Sequence, residues 1–208
     1  QGQIDTPISE AGKEEAMLFG QSLVPNSYQI IYSSSLSRAY DTAKQIAVFS
    51  GHTGVEIQKH ALLIERSYGS MEGMSREVLR ALALAKGITT MQFTPVDGES
   101  MEQVTARIID FLQSHLFPDV NRRSAVTNFE VIPSVLIVTH GAIIRLFIAY
   151  LASFGDINFP APPDASPPFT AVSEFELTFD TTNTISQCQW QIINVKCLRL
   201  YDTSHLNV

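Results

Sequence analysis

Residues 135–145 read VLIVTHGAIIR, and this stretch decides the fold. The apolar run Val135–Val138 predicts a buried strand, and the residues after Gly141 have the spacing of a helix. Open α/β sheets bind ligands at the carboxyl ends of their strands, where His140 is expected. Taken alone, a histidine is more often a packing or surface residue. Gly141 has no side chain and would let a ligand approach the backbone, so we treat His140 as a candidate site residue.

Strands and helices alternate along the rest of the chain. Helices are predicted at 10–23, 37–49, 76–86, about 101–115 and 142–154, and strands at 29–32, 55–64, 172–179 and 189–200, the last two joined by a turn at 181–183. Residues 118–133 and the proline-rich 154–169 are predicted to be loop excursions. This order predicts one α/β domain over residues 1–208, a three-layer sandwich. Its mostly parallel sheet has helices on both faces and ends in an antiparallel pair.

Composition limits the partners and the location. The 208 residues are 45% hydrophobic and 17% charged, with a net charge of −7 and no run of Lys or Arg. We therefore expect no nucleic acid and no membrane as partner, although a small anionic substrate is compatible with a locally positive site. Without a signal peptide or a membrane span, a cytoplasmic location is expected. Cys188 and Cys197 are interpreted as free thiols, with a disulfide as the alternative. The oligomeric state is not predicted.

A row of hydroxyl side chains leads into the predicted helix at 37–49, and Arg38 lies in its first turn. The helix dipole disfavours a cation at this end, so Arg38 there suggests a bound anion. Backbone N–H groups beside a guanidinium would form a phosphate clamp. An ordinary helix start followed by a solvent-facing arginine explains the segment about equally well.

Glu65 follows another apolar strand directly. Partial burial would raise its pKa towards that of a general acid. An exposed carboxylate paired with Arg66 fits the spacing slightly better. Tyr68 and Glu72 lie in a glycine-bounded loop and indicate no chemistry by themselves. The remaining histidines are predicted to be surface residues: His52, His60, His115 and His205.

An arginine, an acid and a histidine at three strand ends suit phosphoryl chemistry. Arg38 could neutralise phosphoryl oxygens, Glu65 could protonate a leaving alkoxide, and His140 could be a nucleophile or stabilise charge. No group of His, Asp or Glu has the spacing of metal ligands, and no phosphate-binding glycine loop of the P-loop type is present.

Five segments together resemble a known family: residues 1–12, 35–43, 65–73, 93–100 and 139–141. Their order and flanking elements are similar to those of the histidine phosphatase superfamily, also called phosphoglycerate mutase-like. The fourth segment looks most like the fructose-2,6-bisphosphatase TIGAR branch. The resemblance implies a phosphatase without metal or cofactor that hydrolyses a small phosphorylated metabolite, such as fructose 2,6-bisphosphate, through a phosphohistidine. The alternatives are a phosphoglycerate mutase, a broad-specificity phosphomonoesterase and a non-catalytic phosphometabolite-binding protein.

The resemblance also implies roles for single residues. Arg38 is similar to a phosphate-binding arginine of the family, Glu65 to its proton donor, and His140 to the second histidine, which holds the transferred phosphoryl group. The residues that resemble the lining of the substrate pocket are Gln1, Gly2, Tyr68 and Gly141.

The chain departs from the family pattern in two places. The family nucleophile is the histidine of an Arg-His-Gly motif on the first, central strand, and this sequence contains no such motif. Loss of a central strand would expose two sheet edges with unpaired backbone groups. We therefore expect an amino-terminal truncation of a longer enzyme and an inactive chain as given. The second departure is at 169–171, where the family often has an asparagine-containing turn.

Overall fold

The computed structural model describes residues 2–25, 27–52, 54–126, 133–155, 157, 159, 165–179 and 192–207. Three parallel strands form the first sheet: β1 (Ile30–Ser34), β2 (Ile57–His60) and β3 (Val135–Val138). The strand order is β2-β1-β3, and Ile31 pairs with Ile57 on one side and Leu136 on the other. β1 has a partner along both edges, and all five of its residues are buried.

Two antiparallel strands, β4 (Val172–Phe179) and β5 (Ile192–Asp202), form a separate sheet. The expectation of one sheet that ends in an antiparallel pair is therefore wrong for the described residues. β3 is hydrogen-bonded only to β1, and β4 only to β5, among the described residues. β3 and β4 both line one large cleft. Next to this cleft, the apolar residues of β3 are half-buried, whereas the sequence predicted a buried strand.

The described residues also form six α-helices: α1 (Glu10–Ser22), α2 (Ser37–Phe49), α3 (Arg76–Ala85), α4 (Met101–Phe111), α5 (Phe117–Val126) and α6 (Gly141–Ala152). Five of these helices, all except α5, start within one residue of a predicted helix, and the capping box at Ser100 and Gln103 is present. No helix in the described parts of the chain has the length and apolar character that crossing a membrane requires.

Helices cover both faces of the parallel sheet. Side chains of successive strand residues point to opposite faces. Ile30 and Tyr32 of β1 accordingly pack into one core cluster with residues of α4 and α6, while Ile31 packs with Ala43 and Ala47 of α2. The predicted α/β class, with a mostly parallel sheet between helices, is confirmed.

The predicted loop at 118–133 is wrong for residues 118–126. α4 continues through a π-helical turn, Leu112–Leu116, into α5, and residues 127–132 lie outside the described part of the chain. Pro118 misled the prediction, because proline cannot donate the regular helical hydrogen bond. Here it is the second residue of α5, just after the wider π-helical turn. The described residues within 154–169 belong to no helix or strand. The predicted turn at 181–183 lies outside the described residues.

Two of the four histidines predicted at the surface are buried. His52 is enclosed because its Nε2 accepts a hydrogen bond from the Tyr28 backbone N–H at 2.8 Å and its Nδ1 lies 2.7 Å from Ser50 Oγ. His205 is buried against the ring of Phe19. Each has a partner from a distant part of the sequence, Tyr28 for His52 and Phe19 for His205.

Candidate active site

The three predicted chemical residues follow the three parallel strands. Arg38 lies in the first turn of α2 after β1, Glu65 follows the short helical turn Ala61–Leu63 after β2, and His140 precedes α6 after β3. The carboxyl ends of adjacent parallel strands meet at the same edge of a sheet. The structure therefore brings all three side chains to one cleft of about 1990 Å³.

His140 is buried at the cleft wall, with 7% of its surface exposed. Its Nε2 lies 2.8 Å from the hydroxyl oxygen of Ser34, the last residue of β1. Burial, and secondarily the guanidinium groups of Arg38 and Arg107, lower the pKa of His140 to about 3. The imidazole is therefore neutral at pH 7.

Glu65 is half-buried, and its carboxylate lies at the amino terminus of α6. It accepts hydrogen bonds from the backbone N–H of Arg66, at 2.8 Å, and from that of Ala142. Burial raises the pKa of Glu65. Both hydrogen bonds and the nearby guanidinium groups of Arg38 and Arg107 lower this pKa, but the effect of burial is larger. A raised pKa is what a carboxyl needs to hold a proton for a leaving group.

The alternative of an exposed Glu65 paired with the Arg66 side chain is wrong. Arg66 is fully buried. Its guanidinium donates to the carbonyl oxygens of Glu99 at 2.9 Å, Met91 at 3.2 Å and Phe93 at 2.7 Å. These acceptors lie 25 or more residues away along the chain, so local spacing could not indicate them.

Arg107 is a residue that the sequence reasoning missed. Its guanidinium donates to the carbonyl oxygens of Leu62 at 2.7 Å and Glu65 at 3.3 Å, and it forms two bonds, of 2.8 and 3.0 Å, with the Glu99 carboxylate. Arg107 thus holds the backbone of the Glu65 segment. One signal was available, because this cation lies between Val104 and Ile108 on the buried face of α4.

The side chain of Arg38 is half-buried and not solvent-facing. It donates to the carbonyl oxygens of Ile4 and Gly2, both at 2.8 Å. The predicted clamp of backbone N–H groups is wrong for Ser37, because its N–H already donates to the Asp5 carboxylate at 2.7 Å. Asp5 therefore stabilises the start of α2.

Three of the four other predicted pocket residues line the same cleft. Gly2, Tyr68 and Gly141 line it, whereas Gln1 lies outside the described residues. Glu72 is structural: its carboxylate accepts hydrogen bonds from the backbone N–H of Tyr68 at 2.7 Å and of Gln3 at 2.9 Å. Glu72 thus joins the amino-terminal segment to the loop of Tyr68.

The segment at 169–171, where the sequence departs from the family pattern, also lines the cleft. Its Thr170 hydroxyl donates to the Glu15 carboxylate at 3.1 Å. No group of three His, Cys, Asp or Glu side chains suited to a metal ion occurs in the described parts of the chain.

Comparisons with known proteins show the family. Residues 1–186 match the model of the histidine phosphatase superfamily, branch 1. Fructose-2,6-bisphosphatase TIGAR B of Danio rerio is 32% identical over 183 residues, which cover 77% of this chain and 71% of the relative. The 2,3-bisphosphoglycerate-dependent phosphoglycerate mutase of Bartonella tribocorum is 29% identical over 156 residues, which cover 72% and 71%.

A solved structure gives the same fold. The crystal structure of phosphoglycerate mutase from Bacillus anthracis has a TM-score of 0.72 at 20% identity and covers 100% of this chain and 87% of its own. The fold is that of the phosphoglycerate mutase-like proteins. The chain belongs to the histidine phosphatase superfamily, and the resemblance seen in its sequence is confirmed.

Proposed function

We propose that the protein is a metal-independent phosphatase that acts on a small phosphorylated metabolite, with a sugar bisphosphate such as fructose 2,6-bisphosphate as substrate. The observation that carries this proposal is the shared cleft of Glu65, Arg38 and His140. It combines a carboxyl of raised pKa, a cation and a neutral imidazole. The match to a fructose-2,6-bisphosphatase supports the choice of substrate.

Each of these residues has a step to perform. Arg38 offsets the charge of the phosphoryl oxygens, and His140 hydrogen-bonds to the transferred group. Glu65 gives its proton to the leaving alkoxide while the phosphoryl group passes to a histidine nucleophile. The resulting Glu65 carboxylate then accepts a proton from the water that attacks the phosphohistidine.

The nucleophile is the part that this chain does not supply. All five histidines are described, and His140 is the one that lines the cleft. We propose that an additional strand carrying Arg-His-Gly lies between β3 and β4 in the intact protein, since both strands line the cleft and have one paired edge each. Intact-mass analysis and transcript mapping of the native protein test this. A native start at Gln1 in a stable protein would exclude it.

A non-catalytic phosphometabolite-binding protein is the second candidate, favoured by the lone histidine at the cleft. A phosphoglycerate mutase or broad-specificity phosphomonoesterase is a further alternative, supported by the match to a mutase. Product analysis separates them: a mutase returns the phosphoryl group to substrate, a phosphatase releases phosphate, and a binding protein does neither. A cytoplasmic location and the absence of nucleic-acid and membrane partners stay predictions.

The test is phosphate release from fructose 2,6-bisphosphate by the form that contains the Arg-His-Gly segment. We expect Glu65→Gln and His140→Ala to lower turnover by about 10²- to 10⁴-fold with little change in folding. The matched controls are Glu56→Gln and His115→Ala, which alter exposed residues outside the cleft lining. Nearly intact turnover in either cleft variant would contradict the assigned roles. The chain as given should bind the bisphosphate without releasing phosphate.

A further inference from the structure

Ser34 and His140 form a hydrogen bond inside the protein, next to the cleft. Ser34 is fully buried at the end of β1, and its Oγ lies 2.8 Å from Nε2 of His140. The two residues are 106 positions apart in the sequence, so the packing of β1 against β3 creates this contact. The reaction steps above do not use Ser34.

The position of the protons in this bond follows from the partners of Ser34. Its Oγ accepts a hydrogen bond from the Leu36 backbone N–H at 3.2 Å, and its second partner is His140. The hydroxyl proton has no acceptor other than Nε2 among the described residues. Nε2 must then be unprotonated, and in a neutral imidazole the proton lies on Nδ1.

We propose that Ser34 is a positioning residue that holds His140 as the Nδ1–H tautomer, so that the ring presents a neutral N–H donor to a phosphoryl oxygen in the cleft. Nδ1 has no hydrogen-bond partner among the described residues and is the ring nitrogen available to a ligand. The opposite tautomer would turn a lone pair towards the phosphate oxygens and would leave a buried hydroxyl proton unpaired. The identity of the ligand rests on the proposed function, whereas the tautomer does not.

The tautomer can be measured directly in the protein labelled with ¹⁵N-histidine. Two-bond ¹H–¹⁵N correlations at neutral pH distinguish Nδ1–H from Nε2–H. We expect Nδ1–H for His140 in the wild type and a loss of this preference in Ser34→Ala. Ser33→Ala is the matched control, because Ser33 is equally buried in β1 but donates to the Ser34 carbonyl oxygen, at 3.0 Å. It should leave the tautomer unchanged.

A wild-type Nε2–H pattern would overturn the proposal even if Ser34→Ala failed to fold. An unchanged Nδ1–H preference in folded Ser34→Ala would overturn it as well.

Titration with inorganic phosphate provides the second readout. We expect Ser34→Ala to weaken phosphate binding by about 3- to 10-fold, the effect of one lost hydrogen bond, and Ser33→Ala to have no effect. Equal phosphate affinity of Ser34→Ala and wild type would overturn the link between the tautomer and the ligand. A wild type that shows the Nδ1–H tautomer but binds no phosphate would contradict the proposed function instead.

Discussion

The Thr139 hydroxyl donates to the carbonyl oxygen of Leu63 across 2.7 Å. Thr139 precedes His140 at the end of β3, and Leu63 lies two residues before Glu65. This bond therefore links the segment of the histidine to the segment of the acid. The Thr139 side chain is thus one of the contacts that fix the distance between the two groups that would handle the phosphoryl group and its proton.

Thr139→Val tests this link, because it keeps a similar shape and removes the hydroxyl. We expect the free energy of unfolding to fall by about 1–2 kcal/mol, since the Leu63 carbonyl loses its partner. Urea denaturation measures the change. Thr139→Ser restores the donor and should recover most of the loss. A valine variant as stable as wild type would show that the bond does not stabilise the fold.

Arg107 and Glu99 form an ion pair whose side chains are 12% and 22% exposed. We expect Arg107→Met to lower the free energy of unfolding by about 3 kcal/mol, because it leaves the Glu99 carboxylate unpaired. The double variant with Glu99→Met should lose less than the sum of the two single losses. Arg107→Met should also raise the pKa of Glu65, as Arg107 lowers it in the wild type.

Urea denaturation and carboxyl NMR of Glu65 measure these two effects. The control is Lys13→Met, which removes a surface pair with Glu10 and should change the free energy of unfolding by less than about 1 kcal/mol. Strict additivity of the two single changes at 107 and 99 would show that the pair is not coupled.

Gly69 and Gly87 both have positive φ, at 48° and 68°, but their surroundings differ. A Cβ atom at Gly69 would meet the Val96 carbonyl oxygen and the backbone of Asp97, whereas a Cβ at Gly87 meets nothing within 4 Å. Gly87→Ala should cost about 1 kcal/mol of backbone strain. Gly69→Ala adds overpacking and should cost at least about 2 kcal/mol more. Equal thermal unfolding curves for the two variants would contradict the close approach at Gly69.

His52 should make stability depend on pH. Burial lowers its pKa below the usual value of 6.5, so below that pH the unfolded chain binds the proton more readily than the folded protein. The contribution of His52 is therefore present above about pH 6.5 and lost as the pH falls. We expect His52→Gln to reduce the loss of stability between about pH 7.5 and about pH 5.5, measured by urea denaturation. An equal loss in His52→Gln and wild type would exclude this role, and exposed His115→Gln is the control.

The sequence by itself determined the class of fold and the general position of the site. The apolar run Val135–Val138, ended by Thr139 and His140, predicts the end of a strand, because the pattern of apolar residues and the break that follows it are local features of the sequence. The same reasoning placed Arg38 and Glu65 at strand ends. Parallel pairing then brings such ends to one edge. The family resemblance also depended on sequence alone.

Only the tertiary structure decided the protonation and the support of that site. The pKa of Glu65 is raised because distant segments bury it, and the Arg66 guanidinium lies away from its carboxylate because backbone carbonyls elsewhere accept its protons. Ser34 and His140 meet only when β1 and β3 pair. The helix at 117–126 likewise depends on packing. Desolvation and hydrogen bonding depend on which groups are close in space, and the distance between two residues along the chain does not predict how close they are in space.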